Sequence, residues 1–389
     1  MKKLILTTLT ISSLVFTSCS LDNDDQIVGK ETGGEVTSQN LAGNLTSDLV
    51  LKSGIDHNLT GALLVKSGAT LTIEAGVRVK ALAGGTDVYI LVEKGGKIIA
   101  EGTSDNPIVF TSNATNPKAG DWGGIIINGN APLSRQSGAS SNSATEVNNS
   151  ILYGGDKTDD NSGTLNYVKI EYTGARIDDE AEHNGLTLNG VGNGTTISNI
   201  AIVNGDDDAI EFFGGTVNAS NILVINAKDD MFDFTQGYVG TCTNLYGIRK
   251  NGYTAVTSDP RGIEADGNLD GKTPTDINQS NFTINGVTII NEANGVDLTD
   301  AIKVRRGATA TITNAYVSLG TGATMSDFVD LEDSRGNSTS ETSITVVGNS
   351  ANGLDINDVK NTPAATINAS NGTTGGTDKS IFSWTGYTF

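Results

Sequence analysis

The chain has 389 residues, with 45 acidic against 25 basic side chains and a formal net charge of −20. Such a surface repels phosphate backbones, which argues against a nucleic-acid partner, and it favours solubility and divalent cations. Forty-eight glycines stand against six prolines, a balance that points to many short strands joined by tight turns.

The N-terminus opens on Lys2 and Lys3 and continues as an apolar run too short to span a bilayer, ending at Cys19. Phe16-Thr17-Ser18-Cys19 resembles a bacterial lipobox, with Phe where Leu is usual. Residues 1–18 are expected to be a signal peptide and Cys19 a lipidated anchor, with 19–45 a flexible tether. Asp22, Asp24 and Asp25 resemble the surface-export signal of Bacteroidota lipoproteins, which implies the outer face of the outer membrane. With Cys19 lipidated, Cys242 is the one cysteine left, so no intramolecular disulfide can form.

From residue 46 to 389 the pattern is repetitive. Two short strands recur: "ISNIAI", "ASNILV" and "CTNLYG" in one phase, "AIEF", "MFDF" and "GIEA" in the other. The spacing of about 22 residues, without helical periodicity, predicts a single all-β domain, a right-handed parallel β-helix. Longer units carry loops near 173–184 and 249–281. In such a coil, residues of equal phase stack about 4.8 Å apart. One inward column is Leu165, Ile197, Ala219, Cys242, Ile284 and Ile312; a second is Val168, Ile200, Ile222, Leu245, Val287 and Ala315. Cys242 therefore reads as a small buried hydrophobe. Asn199, Asn221, Asn244 and Asn314 share a corner phase and are expected to hydrogen-bond from coil to coil. The aromatic "SIFSWTGYTF" is expected to close the C-terminal end of the core.

"GDWGGIIINGNAPL", "YGGDKTDDNSGTLNYVKIEYTG" and "NGDDDAIEFFGGTVNASNILVINAKDDMFDFTQGY" resemble a family of Bacteroidota surface lipoproteins over roughly residues 60–330. The resemblance implies the parallel β-helix and a surface location, and it carries no established catalytic residues. The wider likeness to pectate lyases, polygalacturonases and adhesins is one of fold alone.

The chemistry concentrates in one stripe. Thr187, Glu211, Asp233, Glu264, Lys303 and Asp330 share an outward phase, and Asp206, Asp207, Asp208, Asp229, Asp230, Asp300 and Asp327 lie just ahead of it. Three readings stand side by side. The stripe can be a solvated face with Lys303 relieving repulsion between Glu264 and Asp330. It can be a Ca²⁺ site between Asp206–Asp208 with Glu211 and Asp229, Asp230 with Asp233, because stacked carboxylates supply hard oxygen ligands. It can be catalytic, with Asp207, Asp208, Glu211, Asp230 or Asp233 acting as the carboxyls of a glycoside hydrolase, or with Lys303 or Arg261 as the base of a Ca²⁺-dependent lyase. Asp266, Asn268 and Asp270 in "DGNLDG" match the first half of a calcium loop without its closing acid. His57 and His183 have no zinc spacing; His183 falls at the mouth of the acid column, where a turn role is the plainer reading. Trp122, Tyr238 and Tyr253 are candidate sugar-stacking rings. Together these features predict a surface-exposed outer-membrane lipoprotein that binds a glycan or a surface partner without catalysis, as an adhesin would. The alternative is a Ca²⁺-dependent polysaccharide lyase or a glycoside hydrolase.

Overall fold

The computed structural model describes residues 38–177 and 182–389. The signal peptide and Cys19 lie outside them. Twenty-four strands form one continuous sheet system, coiled as a right-handed parallel β-helix. A separate hairpin, Ser143–Thr145 with Asn148–Tyr153, is antiparallel.

Each coil has three faces, and the long strands explain two of them. Thr196–Val203, Ala219–Ile225 and Thr241–Arg249 bend midway at Asn199, Asn221 and Asn244, whose φ values are 53°, 57° and 59°. Left-handed backbone is costly for most L-residues, and asparagine tolerates it best among side chains that can also hydrogen-bond. Nδ2 of Asn199 donates to Oδ1 of Asn166 at 2.8 Å, Asn221 to Asn199 at 3.0 Å, and Asn244 to Asn221 at 2.9 Å. The ladder expected from the sequence thus runs through three of its four members. Gly286, at φ 82°, takes the next corner and interrupts it. Asn314 turns instead to Gly376, bonding both its N–H and its carbonyl at 3.0 Å.

The inward columns stand in the register the 22-residue spacing predicts. Leu165 pairs with Ile197, Ile197 with Ala219, Ala219 with Cys242, Cys242 with Ile284, and Ile284 with Ile312. All are buried, each large member contributing about 1.5–3 kcal/mol by leaving water. Cys242 Sγ lies 3.5 Å from Tyr238 Oη, and burial pushes its thiol up to about 12. Beside this column Phe212 stacks on Phe234 at 5.0 Å and Phe234 on Phe282 at 4.5 Å.

Two expectations change. The coil begins before residue 46: Ser38–Leu45 is a strand paired in parallel with Asp56–Val65. The C-terminal aromatics do not close the end of the core. The second face carries outward apolar residues, among them Val203, Leu223, Ile225, Tyr246 and Ile248, and the last segment folds back to cover them with Phe382, Trp384, Tyr387 and Phe389. Exposed apolar surface of this extent needs a cover. Ring edges of Phe382 and Phe389 meet Tyr246 at 6.1 and 5.3 Å, and Lys250 donates to the Thr388 carbonyl.

Candidate acidic binding site

The third face consists of short strands, Leu186–Asn189, Ile210–Phe213, Phe232–Thr235 and Arg261–Ala265. Thr187, Glu211, Asp233 and Glu264 stand in register on its outer side. The preceding turns supply acids for a local reason: Asp208 Oδ1 accepts the Asp230 N–H at 2.8 Å, and Asp230 Oδ1 accepts the Arg261 N–H at 2.5 Å. Each aspartate satisfies the turn of the next coil. Loop insertions then wall the face in, bringing Glu146 from the hairpin, Glu182 and Asn184 from the 173–184 loop, and Asp259 and Asp270 from the 249–281 loop. The result is a polar bowl of about 210 Å³ lined by twelve acids and three arginines.

The bowl has two electrostatic halves. In one, arginines match the acids. Arg261 contacts Glu264 at 2.5 Å, Asp300 at 2.9 Å and Asp259 at 3.1 Å. Arg305 pairs with Glu264, and with Asp266 at 2.8 Å. Arg306 reaches Asp266 at 2.6 Å and Asp333 at 3.2 Å. Burial, together with Arg306 and Arg261 alongside, holds Arg305 down to about 10. Burial lifts Asp266 to about 7 against the pull of Arg306.

The other half has no such match. Oxygens of Asp208, Glu211 and Asp233 lie within 4.8 Å of one another, and among the described residues none of the three carboxylates makes an ion pair. Burial, reinforced by Asp230 and Asp207, holds the Asp208 carboxyl well above the usual range. Burial and Asp233 do the same to Glu211, and burial and Asp266 to Asp233. Asn184, only 3 % exposed, donates from Nδ2 to Glu211 Oε2 at 2.6 Å and so fixes that carboxylate. Its own Oδ1 and the Asp233 Oδ1 are enclosed without a hydrogen-bond partner. Buried acceptors of this kind are costly unless something meets them. Three carboxylate oxygens thus converge, and two enclosed acceptors on this group of side chains, Asn184 Oδ1 and Asp233 Oδ1, have no hydrogen-bond donor among the described residues.

Oxygens of Asp208, Asp229 and Asp230 also lie within 4.8 Å of one another, but the other acids on the stripe carry protein partners. Asp229 Oδ1 accepts from Thr257 Oγ1 at 2.7 Å, and Arg249 beneath donates to the carbonyls of Ala227 and Asp229. Asp207 meets Arg176 at 2.6 Å, and Asp206 turns away to Lys228 at 2.9 Å. Asp300, Asp327 and Asp330 also cluster, yet Lys303 holds Asp330 at 2.5 Å and Lys360 holds Asp327 at 2.7 Å. Lys303 therefore relieves Asp330 as expected, but the partners of Glu264 are Arg261 and Arg305.

The remaining candidates separate. Asp266 belongs to the bowl and is clamped by two arginines. Asn268 spends Oδ1 on the Thr273 N–H at 2.9 Å, and Asp270 pairs with Lys272 at 2.7 Å in the open, so "DGNLDG" does not converge on an ion. Trp122 and Tyr238 are fully buried, their polar atoms bonded to the carbonyls of Glu171 and Val217, and offer no ring to a sugar. Tyr253 is half-buried with its hydroxyl enclosed and lies outside the bowl lining. His183 packs on Tyr89 at 5.0 Å and bonds the Thr86 carbonyl, and burial draws it down to about 4, so it stays neutral and structural. His57 bonds the Lys52 carbonyl at 2.9 Å.

Sequence reasoning passed over Asn184, Arg305 and Arg306. Extending the strand columns by two residues would have found Arg305, which bridges to Asp266 one coil below. Glu146 sits on a hairpin outside the repeat, where no phase could point to it. A coil of three parallel faces with a loop-walled acidic bowl on one of them defines a parallel β-helix. Residues 43–388 match the pectate-lyase like beta helix domain, and the chain belongs to that family, which is consistent with a carbohydrate-related role. No curated protein and no solved structure matches.

Proposed function

We propose that the chain is a non-catalytic carbohydrate-binding module of the cell surface whose bowl loads Ca²⁺. The observation that carries this reading is the set of Asp208, Glu211 and Asp233 with Asn184, in which two enclosed oxygens lack partners. Ca²⁺ takes six to eight oxygen ligands. These side chains supply about half of them and leave positions for sugar hydroxyls. Twelve acids against three arginines keep the bowl negative even with a cation aboard, so a neutral saccharide fits better than a polyuronate. Hydrolysis by a retaining pair, whose carboxyl groups stand about 5–5.5 Å apart, is the competing use of acids whose oxygens come this close, and cleavage of a polysaccharide would favour it. The lyase reading has one observation in its favour, the lowered Arg305, but that guanidinium is clamped by Glu264 and Asp266.

Calorimetry with CaCl₂ on the mature chain, followed by oligosaccharide titration with and without EDTA, tests the proposal. Binding of both Ca²⁺ and sugar, lost together in Glu211→Gln, is expected. Sugar binding indifferent to EDTA would overturn it, and new unsaturated or reducing ends on a polysaccharide panel would replace it with the enzyme reading. Anchoring at Cys19 at the outer surface belongs to the same proposal: Cys19→Ser should move the protein from the membrane to the soluble fraction, and unchanged fractionation would remove the anchor.

A further inference from the structure

We propose that the first face of the coil is a docking surface for a neutral, hydroxyl-rich polysaccharide chain lying along the helix axis. The proposal rests on the carbohydrate reading but uses a different face, separated from the acidic bowl by the asparagine corner and the tail-covered sheet. On this face each long strand presents two outward side chains flanking one inward apolar residue. Thr196 and Ser198 flank Ile197, Asn218 and Ser220 flank Ala219, and Thr241 and Thr243 flank Cys242. The pattern begins at 164–166 and continues through 283–285, 311–313, 343–345 and 366–368. All sixteen outward positions are Thr, Ser or Asn. The chain is 18 % charged, yet these sixteen positions carry no charge; the first charges on the face, Lys97 and Glu101, lie on the coil before Thr164.

The array is also regular and held in place. Successive coils repeat at about 4.8 Å, and the two columns stand about 6.7 Å apart along the strand. Ser198 Oγ donates to Asn166 Oδ1 at 3.0 Å, and Thr313 Oγ1 to Asn285 Oδ1 at 3.0 Å, so side chains are fixed from coil to coil. Pre-set rotamers lower the ordering cost of binding. At the centre of the face, the Thr196, Asn218 and Thr241 coils line a shallow groove of about 430 Å³. The chemistry selects the occupant. Without basic residues the stretch from Thr164 onward cannot hold nucleic acid, and without aromatic or arginine anchors it lacks what protein interfaces rely on. Repeating uncharged donors and acceptors suit a polymer whose own hydroxyls repeat, and many weak contacts in register then add up along the chain.

The test is retention of the mature chain on microcrystalline cellulose, chitin and insoluble starch in EDTA, which leaves the bowl without a cation. Retention on at least one polymer is expected. Thr243→Arg should lower it at least tenfold and Thr243→Val severalfold, with melting temperatures near that of the parent, while Glu211→Gln should leave it unchanged. No retention on any of the three polymers would overturn the proposal. So would full retention by a folded Thr243→Arg. Retention abolished by EDTA and by Glu211→Gln would assign the polymer to the bowl, overturning this inference while sparing the function proposed above. Retention in EDTA alongside a failed Ca²⁺ titration would do the reverse.

Discussion

The sharpest consequence of the bowl is that removing a buried acid should stabilise the cation-free protein. The oxygens lie within 4.8 Å of one another, and two unit charges at that outer limit repel by ~3.5 kcal/mol at an effective dielectric of about 20. Full ionisation of Asp208, Glu211 and Asp233 would thus cost roughly 10 kcal/mol, comparable to the whole stability of an ordinary domain. The cluster must hold protons or a cation. Glu211→Gln keeps an acceptor for Asn184 Nδ2 and deletes one charge, so in EDTA at pH 8 it should gain about 1–3 kcal/mol. Over the roughly 350 residues of the coil, an unfolding entropy near 2.1 cal/mol/K per residue converts that to about 1–4 °C in Tm. Ca²⁺ at a hundredfold its Kd should stabilise the parent by about 2.7 kcal/mol, or ~4 °C, and the variant by little. The pH dependence follows with a definite sign. Asp208, Glu211 and Asp233 have folded pKa values above their unfolded ones. The native state therefore binds more protons, and stability falls as pH rises from about 4 through the folded values. Asp259 and Asp333 are shifted the other way, and their contribution is lost only as pH drops below about 4. Melting in EDTA should accordingly be higher at pH 5 than at pH 8, and Ca²⁺ should flatten the difference. A Glu211→Gln protein that melts below the parent in EDTA, or a Tm that climbs from pH 5 to 8 in EDTA, would refute the reasoning.

Arg305→Met leaves Glu264 and Asp266 with buried charge that Arg261 and Arg306 alone must meet; a loss of about 3–5 kcal/mol is expected in denaturant titration, and a neutral outcome would mean these acids are protonated in the native state. Phe382→Ala empties a fully buried site under the C-terminal segment, with a cost of about 3–5 kcal/mol and earlier proteolysis after residue 372; equal protease resistance would show that the tail does not hold the second face. Asn221→Ala removes the middle rung of the ladder and strains a left-handed corner, for about 1–3 kcal/mol. Asn221→Gly should recover the strain but not the rung, and a Gly variant no better than Ala would remove the backbone argument.

The architecture could be read from the chain because its cause is local and periodic. Side chains of equal phase are placed one strand spacing apart whatever lies around them, so the apolar columns through Leu165 and Val168, the asparagine corner and the acid stripe through Glu211 and Asp233 all follow from counting residues. What counting does not reach is which charges meet. Whether Asp208 and Asp229 differ depends on Thr257 and Arg249 closing over one of them. Arg305 and Arg306 divide the stripe into a matched and an unmatched half only after the strand beyond them is laid on its neighbour. Glu146 and the C-terminal aromatics come from segments without a period, placed by the surface they cover. Rings that looked available, Trp122 and Tyr238, were claimed by the core because a large apolar side chain lowers the free energy most where water is absent. The repeat, then, was written in the sequence, while the bowl and the cover over the second face were decided by loops and a tail that only the folded coil brings together.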